Sequence, residues 1–173
     1  STIDSSYAGA EGVREAFAKS ADILSDFRMV EEKKLVEDLF RHINSHSGLG
    51  AYGLQEIIEY LQNNVVDTLI ITDDTNLHRV EGKCKRCKHI QAEIVERSEV
   101  IPKKTQYTNN PCPECKAMEV EVSERDIVDY LALIAAKTGT KVEVISGSAE
   151  YGNMLSSLGK VGAILRYNPG HSK

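Results

Sequence analysis

Four cysteines in two close pairs restrict the folds open to this chain more than any other feature. Cys84-Lys-Arg-Cys87 forms one pair, residues 88 to 111 follow, and Cys112-Pro-Glu-Cys115 forms the second; there is no other cysteine. Two residues between cysteines form a tight turn that aims both sulfurs at one point. Two such knuckles supply four thiolates in a tetrahedron, the set that Zn²⁺ takes in a closed structural site. The spacer is slightly longer than the usual zinc-ribbon range of about 15 to 20 residues; the extra length is expected to extend the hairpin between the knuckles. Cys84, Cys87, Cys112 and Cys115 are therefore the candidate metal ligands. An iron–sulfur centre and a pair of disulfides are the alternatives. A redox Cys-x-x-Cys normally sits singly at a helix start, so duplication argues against that use. A catalytic zinc needs an open position for water, and four sulfurs leave none.

The surroundings of the cysteines are basic. Lys83, Lys85, Arg86, Lys88, Arg97, Lys103 and Lys104 share the stretch with Glu93, Glu96 and Glu99. Part of this charge offsets the net −2 of a zinc tetrathiolate. The rest suits a basic finger able to touch RNA phosphates, in a chain whose overall net charge is −5.

The 173 residues are 41% hydrophobic and 27% charged, enough for one sizeable core and an appendage. No apolar run approaches the ~20 residues of a membrane helix. The opening STIDSSYAGAEG lacks the basic and apolar regions of a signal peptide. A cytoplasmic protein without a membrane partner is expected, and a setting of that kind disfavours disulfides. The chain opens on Ser1 rather than methionine, as a piece of a longer chain would.

Between Val13 and Ser47 there is neither proline nor glycine, and Val13, Phe17, Ala21, Leu24, then Val36, Leu39, Phe40 and Ile43 recur at helical spacing. This predicts one long helix or two, broken at Ser25-Asp26. LQEIIEYLQNN (54–64) reads as a short amphipathic helix and VVDTLIIT (65–72) as a strand buried on both faces. Alternation at Ile90, Ala92, Ile94 and at Met118, Val120, Val122 predicts two half-buried strands. Ser123 with Asp126 resembles a capping box for a helix ending at Gly139. KVEVIS (141–146), SAEYGNMLSSL and AILRY predict strand, helix and strand. Alternating helices and strands imply an α/β sandwich, which the cysteine segment interrupts as an insertion.

Enzyme motifs are missing from the sequence. LGKVG (158–162) fails as a phosphate loop, because Met154 and Val161 stand where glycine and serine or threonine are needed. His42 and His46 share a helix face without the glutamate of an H-E-x-x-H site; His78, His89 and His171 are isolated. No nucleophile has a plausible base, so no catalytic residue is assigned.

Three segments resemble the C-terminal domain of archaeal class-one peptide chain release factors, the release factor subunit 1 family. YGLQEIIEYLQNNVVDTLIITDD (52–74) is similar to Y-G-x-x-E-x-x-x-A-L-x-x-G-A-V-D-T-L-x-x-S, VEEKKLVEDLFRHI (30–43) to a helix marked E-E-K-x-L-x-x-x-F, and EYGNMLSSLGKVGAILRY (150–167) to E-G-x-x-L-x-x-x-G-G-I-x-A-I-L-R-Y. The cysteine pairs resemble a zinc minidomain of archaeal members. Lys160 departs from a common glycine, and Asn63-Asn64-Val65 replaces a glycine–alanine turn. The resemblance implies an α/β fold (an α+β sandwich): a central mixed sheet with helices on both faces, a long N-terminal connecting helix and an inserted zinc-ribbon-like minidomain. It implies that residues 1–26 are the end of a middle domain and connecting helix, 27–82 with 117–173 the C-terminal core, and 83–116 the minidomain. It further implies a docking domain in translation termination at stop codons, binding a translational GTPase of the elongation-factor type and an ABC-type ribosome-recycling ATPase, with rRNA as an expected contact. The G-G-Q loop with which the family triggers peptidyl-tRNA hydrolysis is missing from this chain, so the chain itself is not expected to be an enzyme. A Pelota-type ribosome-rescue factor and a freestanding zinc-ribbon RNA-binding protein are the alternatives.

Overall fold

A computed structural model describes residues 2–170, with side chains from residue 12 onward; His171 therefore lies outside the described residues. The long apolar periodicity forms one unbroken helix, α1 (Thr2–Asn44), and Ser25-Asp26 does not interrupt it. Two sheets follow. The larger is four-stranded in the order β1 (Gly50–Tyr52), β7 (Val161–Leu165), β2 (Val66–Thr72), β6 (Lys141–Ile145). β2 and β6 run parallel, whereas β7 is antiparallel to both β2 and β1, which makes the sheet mixed.

The β-branched, doubly apolar run of β2 is buried at every position except Asp67, as a strand covered on both faces requires. Helices α2 (Leu54–Gln62) and α4 (Ile127–Thr138) cover one face through Ile57, Ile58, Leu61, Ile127, Leu131 and Ala135. The second half of α1 and α5 (Glu150–Ser156) cover the other through Val36, Leu39 and Leu155, packed on Ile70 and Ile145. The sandwich expected from the sequence is the fold observed.

The smaller sheet is antiparallel, in the order β4 (Ile90–Glu96), β3 (Leu77–Cys84), β5 (Val120–Asp126). A short 3-10 turn (Arg97–Glu99) and helix α3 (Val100–Asn109) connect β4 to the second knuckle. The spacer thus builds a helix as well as a longer hairpin, a difference from the sequence reading. Its own core is small, with Val80, Val95, Val100 and Tyr107 buried.

One cap is corrected. Ser123 lies inside β5, and Asp126 itself caps α4, its Oδ1 accepting from the Val128 N–H at 2.8 Å. Strand pairing with β3 holds Ser123 opposite Glu81 in mid-strand, so the cap falls on Asp126, the last residue of the ladder, opposite His78. Gly139 ends α4 in the left-handed conformation, as expected. The last strand starts at Val161 and ends at Leu165, shifted from AILRY, because Gly162 and Ala163 pair with Ile70 and Leu69. No helix among the described residues is long and apolar enough to cross a membrane.

Candidate metal centre

The cysteines sit at the tip of the small sheet. β3 ends on Cys84, whose carbonyl accepts from the Lys88 N–H at 3.0 Å while its own N–H donates to the His89 carbonyl at 2.9 Å. The second knuckle repeats this pattern. The Cys112 carbonyl accepts from the Lys116 N–H at 2.9 Å, and the Cys112 N–H donates to Ala117 at 2.8 Å. Lys88 and Lys116 take left-handed φ values of 65° and 61°, which lysine rarely adopts. Each residue follows the second cysteine of its knuckle, and the turn that aims the sulfurs demands this conformation. Nothing in the residue type betrays it in the sequence.

All four Sγ atoms lie within 4.8 Å of one another. Across the knuckles, Cys84 and Cys115 approach to 3.5 Å and Cys87 and Cys112 to 3.6 Å. Bonds of about 2.3 Å to a central ion give tetrahedral sulfur–sulfur edges of about 3.8 Å, close to these separations. A disulfide needs about 2.05 Å, and all four cysteines are free. Cys84 and Cys112 are buried, Cys115 is half-buried and Cys87 is exposed. The residues present fit a four-coordinate metal ion and would leave it no open position.

The backbone prepares the site electrostatically. The Cys87 N–H, and after it the Arg86 N–H and the neighbouring Cys115 and Cys87 sulfurs, pull the Cys84 thiol down to about 6 against the cost of desolvation. The His89 N–H pulls on Cys87 too, but desolvation and the three other sulfurs outweigh it and push that thiol up to about 12. Cys84 thus favours folding when ionised: its contribution is present above the ordinary thiol range and lost as pH falls through about 6. Cys87 favours folding when protonated, a contribution lost only as pH rises through about 12. At neutral pH a metal ion bound by the four sulfurs would therefore displace a proton from Cys87, and its affinity would rise with pH. Metal affinity is expected to fall roughly tenfold for each proton taken up per unit of acidification. Competition titrations with a chromogenic chelator at several pH values check this; a flat profile contradicts it.

The basic stretch divides in two. Lys103 pairs with Glu93 at 2.8 Å and Lys104 with Glu124 at 3.2 Å, so both brace α3 against the sheet. Lys103 is the chief reason that the Glu93 carboxyl is held below its usual range, with the Tyr107 hydroxyl helping. Lys83, Lys85, Arg86 and Lys88 are exposed around the first knuckle, without an ion pair among the described residues. His42, with its Nδ1 3.3 Å from Ser47 Oγ, and exposed His46 lie at the end of α1, far along the chain from the cysteines.

Residues 29–169 match the family described as eRF1 domain 3. The chain belongs to that family. Within the domain 3 family it resembles curated archaeal proteins named peptide chain release factor subunit 1. It is 35% identical to the one from Thermococcus onnurineus over 95% of this chain and 40% of the relative. It is 34% identical to one from Methanococcus maripaludis over 96% of this chain and 40% of the relative. The chain thus spans about two-fifths of these relatives' length. Among solved structures it resembles the C-terminal domain of the peptide chain release factor from Methanosarcina mazei, with a TM-score of 0.81 and 30% identity, covering 92% of this chain and 96% of that one. Pelota from Archaeoglobus fulgidus shares the fold at a TM-score of 0.52 and 22% identity, covering 86% of this chain and 33% of that one.

Proposed function

We propose that this chain is the partner-docking C-terminal domain of an archaeal peptide chain release factor, which directs translation termination at stop codons. The observation that carries the reading is the match of residues 29–169 to domain 3 of the family. The likeness to the Methanosarcina mazei domain supports it, and the 35% identity to a release factor subunit 1 over 95% of this chain favours release over rescue. In this reading the domain docks other proteins in the cytoplasm and catalyses nothing. Its partners are the translational GTPase that delivers the factor and the ABC-type ATPase that recycles ribosomes. Cys84, Cys87, Cys112 and Cys115 hold a structural Zn²⁺, and the free basic residues at the first knuckle contact rRNA.

The domain division has support in the change of exposure along α1. Val36 and Leu39 are fully buried on the sheet, whereas residues 12–31 of α1 are exposed at every position, among them the apolar Val13, Phe17, Leu24 and Phe27. Those four are 55%, 71%, 66% and 61% exposed. Apolar side chains that their own core leaves uncovered suit contact with another body. This supports residues 1–26 as the end of a middle domain and connecting helix, 27–82 with 117–173 as the C-terminal core, and 83–116 as the zinc minidomain at the tip of the small sheet.

Binding of the purified chain to the translational GTPase at micromolar concentration is the test. Retention is expected, and recovery of nothing overturns the docking role. Separately, reversing charge at Lys83, Lys85, Arg86 and Lys88 is expected to weaken ribosome binding and to reduce its salt slope by roughly one per lost phosphate contact. An unchanged slope removes the RNA contact.

A further inference from the structure

Strand β4 is an edge: among the described residues it pairs with β3 and with no other strand. The Cys84 N–H bonds the His89 carbonyl at 2.9 Å, and the Arg97 N–H bonds the Asn76 carbonyl at 3.0 Å. Antiparallel alternation between these two anchors turns the backbones of Gln91, Glu93 and Val95 inward to β3. It turns the N–H and C=O groups of Ile90, Ala92 and Ile94 outward, where no described group pairs with them. An open edge of this kind is a template for one more strand.

The edge does not face open water alone. A cleft of about 540 Å³ separates it from α2. Ile94 and Ile58 give it apolar walls, and Tyr130 closes it with the Arg79 guanidinium 4.7 Å from its ring centroid. Gln55 and Gln62 offer amides from α2. The charges are unevenly matched. Arg79 is paired with Glu81, and Glu93 with Lys103. Glu59, also lining the cleft, has no cation among the described residues, and α2 carries Glu56 and Glu59 with no lysine or arginine.

We propose that the cleft between α2 and the free edge of β4 binds an extended, basic segment of a partner protein, which joins the small sheet as a fourth strand. The unpaired backbone groups require an extended main chain. The period of two along such a chain sends alternate side chains against Ile58 and Ile94 and leaves the others exposed. Glu59 selects lysine or arginine at the mouth. The site lies beside the sheet, away from the cysteine knuckles, and its existence does not depend on which factor carries the domain.

The probe is a short acetylated and amidated peptide alternating lysine and valine, titrated into the isotope-labelled, zinc-loaded chain. Saturable shifts of the Ile90, Ala92 and Ile94 amides are expected. Replacing lysine by glutamate in the peptide, or Glu59→Lys in the protein, should weaken binding by roughly tenfold or more. Ala92→Pro should abolish it without disturbing the β3 pairing, because the lost N–H points outward and proline is tolerated there. Methylating alternate amides of the peptide provides the same test on the ligand and needs no protein variant. Unmoved edge amides at millimolar peptide, or equal binding by the methylated peptide, overturn the proposal. So does sedimentation as a dimer with cross-strand contacts between two copies of β4, since the edge would then already have its partner.

Discussion

Stripping the metal with a chelator is expected to erase amide protection around the knuckles and α3 while the four-stranded sheet and its helices stay folded. The reason lies in the sizes of the two cores. The small sheet buries Val80, Val95, Val100 and Tyr107, with Val122 partly covered. The large sheet buries Leu61, Leu69, Ile71, Leu131 and others on one face and Val36, Leu39, Ile70, Ile145 and Leu155 on the other. Four side chains cannot offset the ordering of a hairpin, two knuckles and a helix. The ion can, because structural zinc contributes apparent free energies of about 10–16 kcal/mol in peptide systems. Loss of protection should fade along β3 and β4 towards Leu77 and Ile94, which pack against the large core. Cys112→Ser should reproduce the pattern, since Cys112 is one of the two buried sulfurs. Hydrogen exchange read by mass spectrometry checks both. Knuckle amides that stay protected without metal would show that the sulfurs are packing rather than binding, and unfolding of the entire chain would show that the minidomain is no appendage.

Gly152→Ala is expected to destabilise the core by about 3 kcal/mol or more, at the upper end of overpacking effects. Gly152 is buried in α5, where an added methyl would overlap the Ser146 carbonyl oxygen and crowd Gly147 Cα. These are backbone atoms of the turn leaving β6, so no rotamer change relieves the overlap. At Gly162 in β7 the methyl would meet a Leu39 side-chain terminus instead. That end can rotate, although Leu39 is fully buried, and a cost of about 1–2 kcal/mol is expected. Thermal melts resolve the two, since a domain of this size loses roughly 2–4 °C per kcal/mol. Gly162→Ala proving the worse of the pair would mean that α5 has more freedom than its contacts imply.

Legibility in the sequence followed the range of the determining interaction. β2 could be read because burial on both faces leaves a continuous β-branched run, and α2 because its apolar residues share one face. α3 could not: Val100 and Tyr107 are its only buried residues, so its spacing carries little signal, and its position depends on packing against β3 and β5. The displaced cap at Asp126 has the same origin, because pairing of Ser123 opposite Glu81 is a contact between distant residues. The division of the basic stretch into braces and a free rim was equally hidden, since Glu93 and Glu124 reach their lysines through the small sheet.

By itself the sequence determined which atoms can hold a metal, because a Cys-x-x-Cys turn is local and its chemistry resides in residue type. It also determined the family and the alternation of helices and strands. Only the tertiary structure decided that the two knuckles share one point, that the second half of α1 is covered by the sheet while residues 12–31 stay exposed, and that β4 is left with an open edge beside α2. These depend on where elements far apart in the chain come to rest, which is set by the burial of their faces against each other and not by any single segment.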